Sequence, residues 1–121
     1  MAAHNETGRR AEAAACRYLE GQGLQLLERN YACPQGEIDL IMRHAETLVF
    51  VEVRYRRDGR FGDGMASVDR RKQARLAASA AHYLQQHPRA ARRPCRFDVV
   101  ALSGGEQGRA RVNWVADAFQ T

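Results

Sequence analysis

Apolar residues recur along this chain with two periods, one of three to four residues and one of two. Between Thr7 and Glu20, Ala11, Ala14, Ala15 and Tyr18 fall at helical spacing. A first helix is expected there, capped by Asn5 or Thr7 and ended by the glycines of "GQG". "LQLLERNY", Leu24 to Tyr31, reads as a strand and "CPQG" as a turn. "EIDLIMR" and "LVFVEVR" are two further strands, joined by "HAET" into a β-hairpin. After the loop "RRDGRFGDG", a long helix starts at Ser67, buries Leu76, Ala77, Ala80 and Leu84, and is stopped by Pro88. "RFDVVALS" and "RARVNWVA" are the last strands, following the basic linker "PRAARRP" and separated by "GGEQG". The order α-β-β-β-α-β-β predicts an α/β fold with a mixed sheet flanked by helices, in one domain over residues 1–121.

The hairpin carries charges where a buried strand should not. Side chains alternate along a strand, so Glu37, Asp39 and Ile41 share one face and Ile38, Leu40 and Met42 the other. In the next strand Leu48, Phe50, Glu52 and Arg54 share a face, and Val49, Val51 and Val53 the opposite one. A symmetric hairpin around His44–Thr47 sets Ile41 against Phe50, Asp39 against Glu52, and Glu37 against Arg54. Two carboxylates placed opposite each other repel. A proton, a cationic side chain such as Arg54, or a divalent cation must offset that repulsion. Mg²⁺ or Mn²⁺ suits carboxylate oxygens, with the Val53 carbonyl as a further ligand. An ordinary Glu37–Arg54 cross-strand ion pair is the blander alternative. The face bearing Ile38, Leu40, Met42, Val49, Val51 and Val53 is apolar throughout and should pack on a helix.

Composition narrows the class. An apolar fraction of 45% and a charged fraction of 27% suit a globular soluble protein. No run approaches a membrane span, and the N-terminus has no apolar signal core, so a cytoplasmic home without membrane association is expected. The 3 cysteines lack metal or disulfide spacing and read as small apolar fillers; the 4 histidines read as surface residues. A net charge of +5 favours polyanions. Arg56, Arg57 and Arg60 lie in the loop after the charged strand, interleaved with Tyr55 and Phe61; Arg70, Arg71 and Arg75 extend the positive surface along the next helix. Such residues would contact phosphates, or simply solubilise the surface. Among the 19 basic residues Lys72 is the only lysine.

Five blocks in order, "GRRAEAAACRYLEGQG", "RNYACPQGEIDLI", "LVFVEVRYR", "FGDGMASVDRRKQARLAASAAHYL" and "RFDVVAL", resemble the YraN-like family of small bacterial proteins over nearly the whole chain. That resemblance implies a restriction-endonuclease-like fold, near Holliday-junction resolvases, with a PD-(D/E)xK-type site acting on DNA. On this chain it implies metal ligation by Asp39 and Glu52, an auxiliary acid at Glu12, and Arg54 where the motif has Lys. A homodimer follows by analogy with resolvase-like relatives.

Arg54 leaves three alternatives. Arg can stabilise charge on a phosphorane through bidentate contacts, but it cannot act as a base. The site is then active with Arg, active with a lysine from elsewhere, or inactive. Lys72 is the candidate for the second alternative; Gln73 beside it is the competing polar residue, and a solvated surface position is the plain one. Beside a Mg²⁺-dependent endonuclease stand two other functions: a non-catalytic nucleic-acid-binding module on the same fold, and a protein–protein adaptor with a basic face.

Overall fold

The computed structural model describes residues 6–56, 68–104 and 110–120. Helix α1 (Glu6–Gly21) precedes strands β1 (Gln25–Cys33), β2 (Gly36–His44) and β3 (Thr47–Arg56). Helix α2 (Arg70–Gln86), a 3-10 turn (Ala90–Arg92) and strands β4 (Cys95–Gly104) and β5 (Ala110–Phe119) follow. The sheet has five strands in the order β1-β2-β3-β4-β5. β3 and β4 run parallel and the other neighbours antiparallel, so the sheet is mixed. A parallel pair needs a crossover, and α2 lies in the segment that supplies it. The α/β order and flanked mixed sheet expected from the sequence are the ones observed.

Each helix covers one face. Ala11, Ala15, Cys16 and Leu19 of α1 pack on Leu40, Met42, Val49, Val51, Val100 and Leu102. Leu76, Ala80 and Tyr83 of α2 pack with Ile38, Ile41, Leu48, Phe50 and Val99. Val49 and Val51 thus face α1 while Leu48 and Phe50 face α2, the period-two alternation read from β3. Small residues on α1 let the helix sit close to the sheet. Cys16 and Leu19, rather than Tyr18, complete its buried stripe; Tyr18 is half-exposed, edge-on to Trp114 at 6.3 Å. The helix expected from Ser67 begins at Arg70, because Asp69 caps it: the Asp69 carboxylate accepts from the Lys72 N–H at 2.9 Å. Ser67 itself lies outside the described residues.

The hairpin register is the counted one from His44↔Thr47 to Leu40↔Val51. There the β2–β3 ladder stops, so neither Asp39–Glu52 nor Glu37–Arg54 is a ladder pair. On the other side of β2 the pairing passes from Arg29↔Leu40 to Tyr31↔Ile38, and Asn30 between them has a φ of 51°. Asn tolerates this left-handed conformation better than most residues. With both neighbouring ladders irregular at Asp39, strict alternation fails. Ile38 packs with the α2 cluster, opposite to Leu40 and Met42, and not with them as expected. The sheet opens at one row, and the charges gather there.

Two expectations about polar residues need correction. His44 lies 3.3 Å from an Arg96 guanidinium nitrogen, and the ring of His82 bonds the Tyr31 hydroxyl; these histidines are partly buried structural residues rather than free surface groups. Cys95 is exposed, so of the cysteines Cys16 fits the role of apolar filler best. Asp98, in the apolar strand β4, is fully buried. Its carboxylate accepts from Arg96 Nε at 3.0 Å, Trp114 Nε1 at 2.9 Å and the Asp117 N–H at 2.9 Å. The last bond holds a bulge where β4–β5 pairing shifts between Phe97 and Val99 and Asp117 adopts a φ of 52°. Asp98→Asn turns an NH₂ toward one set of donors, and should cost about 2 kcal/mol, seen as a lower urea midpoint at unchanged slope.

Candidate functional site

Where β2 and β3 separate, side chains from four elements converge. A cavity of about 400 Å³ is lined by Thr7, Gly8, Ala11 and Glu12 of α1, Glu37 and Asp39 of β2, residues 52–55 of β3, and Lys72 of α2. Asp39, Glu52, Val53, Arg54, Glu12 and Lys72, all singled out in the sequence, are therefore brought together. Among the proposed phosphate contacts, Arg56, Arg70 and Arg71 are exposed and do not line the cavity. Arg57 and Arg60 lie outside the described residues.

The carboxylates are held in place by the irregular row. Asp39 Oδ2 accepts from the Val53 N–H at 2.7 Å. This side-chain bond joins β2 to β3 just past the end of their backbone ladder. Glu52 is only 3% exposed, and two cations reach it from different elements. Arg54 Nη1 lies 3.0 Å and Lys72 Nζ 3.5 Å from Glu52 Oε2. Arg54 arrives from the same face of β3, two residues on. Lys72 arrives because the Asp69 cap sets the first turn of α2 over the end of the strand. Gln73, the competing polar residue, instead donates to the Val68 carbonyl at 3.0 Å.

Glu12, on α1, accepts from the Asn30 amide at 2.9 Å. Asn30 was not anticipated as part of the site. Its signal was a turn-favouring residue inside a strand pattern, where Asn in a left-handed conformation has a local reason to be.

The electrostatics follow from this packing. Burial pushes the Asp39 carboxyl up to about 8, and the charge of Glu52 adds to the shift. The Val53 N–H and Lys72 oppose it, and Glu12 reinforces it. Burial and a neighbouring carboxylate both favour the neutral form of Asp39, and a bound cation would favour the ionised one. Because the folded value lies above the ordinary 3.8, Asp39 contributes stability that is complete below that pH and lost as pH rises through about 8. In EDTA the melting temperature should fall by several degrees between pH 5 and pH 9. Asp39→Asn, which stays neutral, should flatten that decline and exceed the wild type at pH 9.

The donor set fits a hard cation of low protein coordination. Among the described residues no three His, Cys, Asp or Glu side chains form a ready-made metal site. Two carboxylates and the Val53 carbonyl would leave the remaining positions to water and a phosphate oxygen. That is how Mg²⁺ is usually held, through one or two carboxylates plus substrate phosphates. Among the described residues no helix is long and apolar enough to cross a membrane.

Comparison with known proteins agrees on a family. The model described as "Uncharacterised protein family UPF0102" matches residues 11–102. A UPF0102 protein of Nitrosococcus oceani is 54% identical over 119 residues, covering 98% of this chain and 95% of the relative. Another, from Ectopseudomonas mendocina, is 48% identical over 119 residues, covering 98% of each. Among solved structures, SfsA of Pyrococcus furiosus in complex with Ca²⁺ aligns with a TM-score of 0.40 and 13% identity, over 87% of this chain and 62% of that one.

Proposed function

The chain belongs to the uncharacterised protein family UPF0102, and we propose that it is a divalent-metal-dependent nuclease hydrolysing DNA phosphodiesters at the Asp39–Glu52 site. The observation that carries this reading is the meeting of the buried Glu52 carboxylate and the partly buried Asp39 carboxylate with the chain's only lysine, 3.5 Å from Glu52. Asp39 and Glu52, with the Val53 carbonyl, are the residues that would hold Mg²⁺ or Mn²⁺. A cation bound there would supply Lewis-acid polarisation of the phosphate and would offset the carboxylate repulsion. The protein's own groups do the rest. Arg54 donates to the non-bridging oxygens as charge builds on phosphorus. Lys72 orients the attacking water, and Glu12, on the α1 side, is an auxiliary acid. Water forms the new P–O bond, the bond to the 3′-oxygen breaks, a proton from the water ends on that oxygen as a 3′-hydroxyl, and a 5′-phosphate remains. Such work on DNA belongs in the cytoplasm.

A second reading has its own observation. Arg54 and Lys72 both contact the Glu52 carboxylate, an arrangement that also suits a nucleic-acid-binding module that does no chemistry. Labelled flap, branched and duplex DNA incubated with Mg²⁺ or Mn²⁺, and with EDTA as control, separates the two. Cleavage that needs the metal is the expected result. Salt-sensitive binding with no cleavage in either metal would select the binding module instead.

A further inference from the structure

The cavity at the carboxylates is not isolated. It shares Thr7, Ala11 and Tyr55 with a second cavity, of about 510 Å³, that runs along α1 and reaches Leu102 of β4. It shares Glu37 and Lys72 with a third, of about 490 Å³, between the β1–β2 turn and α2. The three form one groove that crosses the end of β3 from the α1 side to the α2 side. Its middle is acidic and its ends are basic. Arg10 and Arg17, two turns apart on α1, line one end, and Arg75 lines the other. Tyr55, 40% exposed, stands where the first cavity meets the second.

We propose that this groove takes single-stranded nucleic acid, with its phosphates on Arg10, Arg17 and Arg75 and an unpaired base stacked on Tyr55. The inference rests on the nuclease reading of the site and names the substrate class for it. Charge spacing argues for a polyanion threaded end to end, since positive groups at both ends flank a centre that would repel a bare phosphate. Burial argues for a single strand. Glu52 is 3% exposed, so a phosphate reaching it must descend into the cavity. A flexible strand can dip in this way, whereas a duplex must bend or unstack to do so. Tyr55 argues the same: an exposed ring can stack on a base only where that base is free, and duplex bases are stacked on one another.

The test is binding in EDTA, where chemistry is off, using the full chain. Fluorescence anisotropy is measured for a labelled dodecamer of thymidylate and for a blunt duplex of the same length. The wild type should bind the single strand at least about tenfold more tightly. Tyr55→Leu should weaken single-strand binding roughly 5- to 150-fold, the range for one base–aromatic stack, and leave duplex binding within about twofold. Each of Arg10→Gln, Arg17→Gln and Arg75→Gln should reduce the salt slope on the single strand by about 0.7. Equal or tighter duplex binding, or a Tyr55→Leu loss shared by both probes, would overturn the proposal. The nuclease reading is scored separately, by metal-dependent cleavage. A lost strand preference with intact cleavage removes only the groove, and absent cleavage with intact preference removes only the chemistry.

Discussion

Glu52→Gln is expected to lower metal-dependent cleavage by about a thousandfold or more while leaving the protein folded. The substitution keeps the shape of the side chain and removes its charge. On the proposed reading it deletes one of two carboxylate ligands, and with it most of the Lewis-acid contribution to the rate. Stability should respond in a different direction. Arg54 and Lys72 each have side chains about 30% exposed, so both can turn to water once Glu52 is neutral. Asp39 is relieved of a neighbouring charge that helps raise its pKa. The melting temperature should therefore stay within a few degrees of the wild type, or rise above neutral pH. Single-turnover cleavage and a thermal melt on the same preparation check both halves. A Gln variant that cleaves like the wild type would show that Glu52 is only an ion-pair partner.

Lys72→Met should cost about 10²- to 10⁴-fold in cleavage rate, the usual range for a side chain that orients or relays protons for a nucleophile. The expectation addresses the Arg at position 54. A guanidinium can stabilise phosphorane charge but cannot exchange a proton at working pH. If Lys72 acts on the water, Lys72→Arg should restore little. If it supplied positive charge alone, Lys72→Arg would restore most of the rate. Arg54→Met should show its loss mainly in the same charge-stabilising role, and Arg54→Lys should give no large gain, because the lysine function is already filled from α2. A Lys72→Met protein as active as the wild type would return the question to Arg54. Lys72 holds its place through the backbone cap at Asp69, so none of these side-chain changes should unfold the helix.

Much of this arrangement is legible in the amino-acid sequence. The hairpin count predicted the register from His44↔Thr47 to Leu40↔Val51 because strand spacing and a short turn leave few choices. It failed one step further, at Asp39, where counting assumes an unbroken ladder. There the Asp39 carboxylate takes the Val53 N–H, and Asn30 leaves regular β geometry, so Ile38 turns to the other core. Periodicity contains no information about such a break, although Asn inside a strand is a hint of one. Lys72 stood out as the single lysine, yet its approach to Glu52 depends on how α2 crosses the end of β3, a tertiary fact. Asp98 was missed although it resembles Glu52 in kind: a carboxylate in an apolar strand. Its partners Trp114 and Asp117 lie 16 and 19 residues away on β5, beyond any local pattern. The family resemblance, drawn from five blocks, holds over the chain, with the matched model spanning residues 11–102.

On the proposed reading Asp39 and Glu52 together hold a divalent cation. Crystals soaked in Mn²⁺ and measured at the manganese absorption edge test it without recourse to any substrate. An anomalous peak is expected between the two carboxylates, within bonding distance of the Val53 carbonyl and with the Lys72 and Arg54 contacts to Glu52 rearranged around it. No peak at saturating Mn²⁺, with Arg54 and Lys72 still 3.0 and 3.5 Å from Glu52, would overturn that assignment.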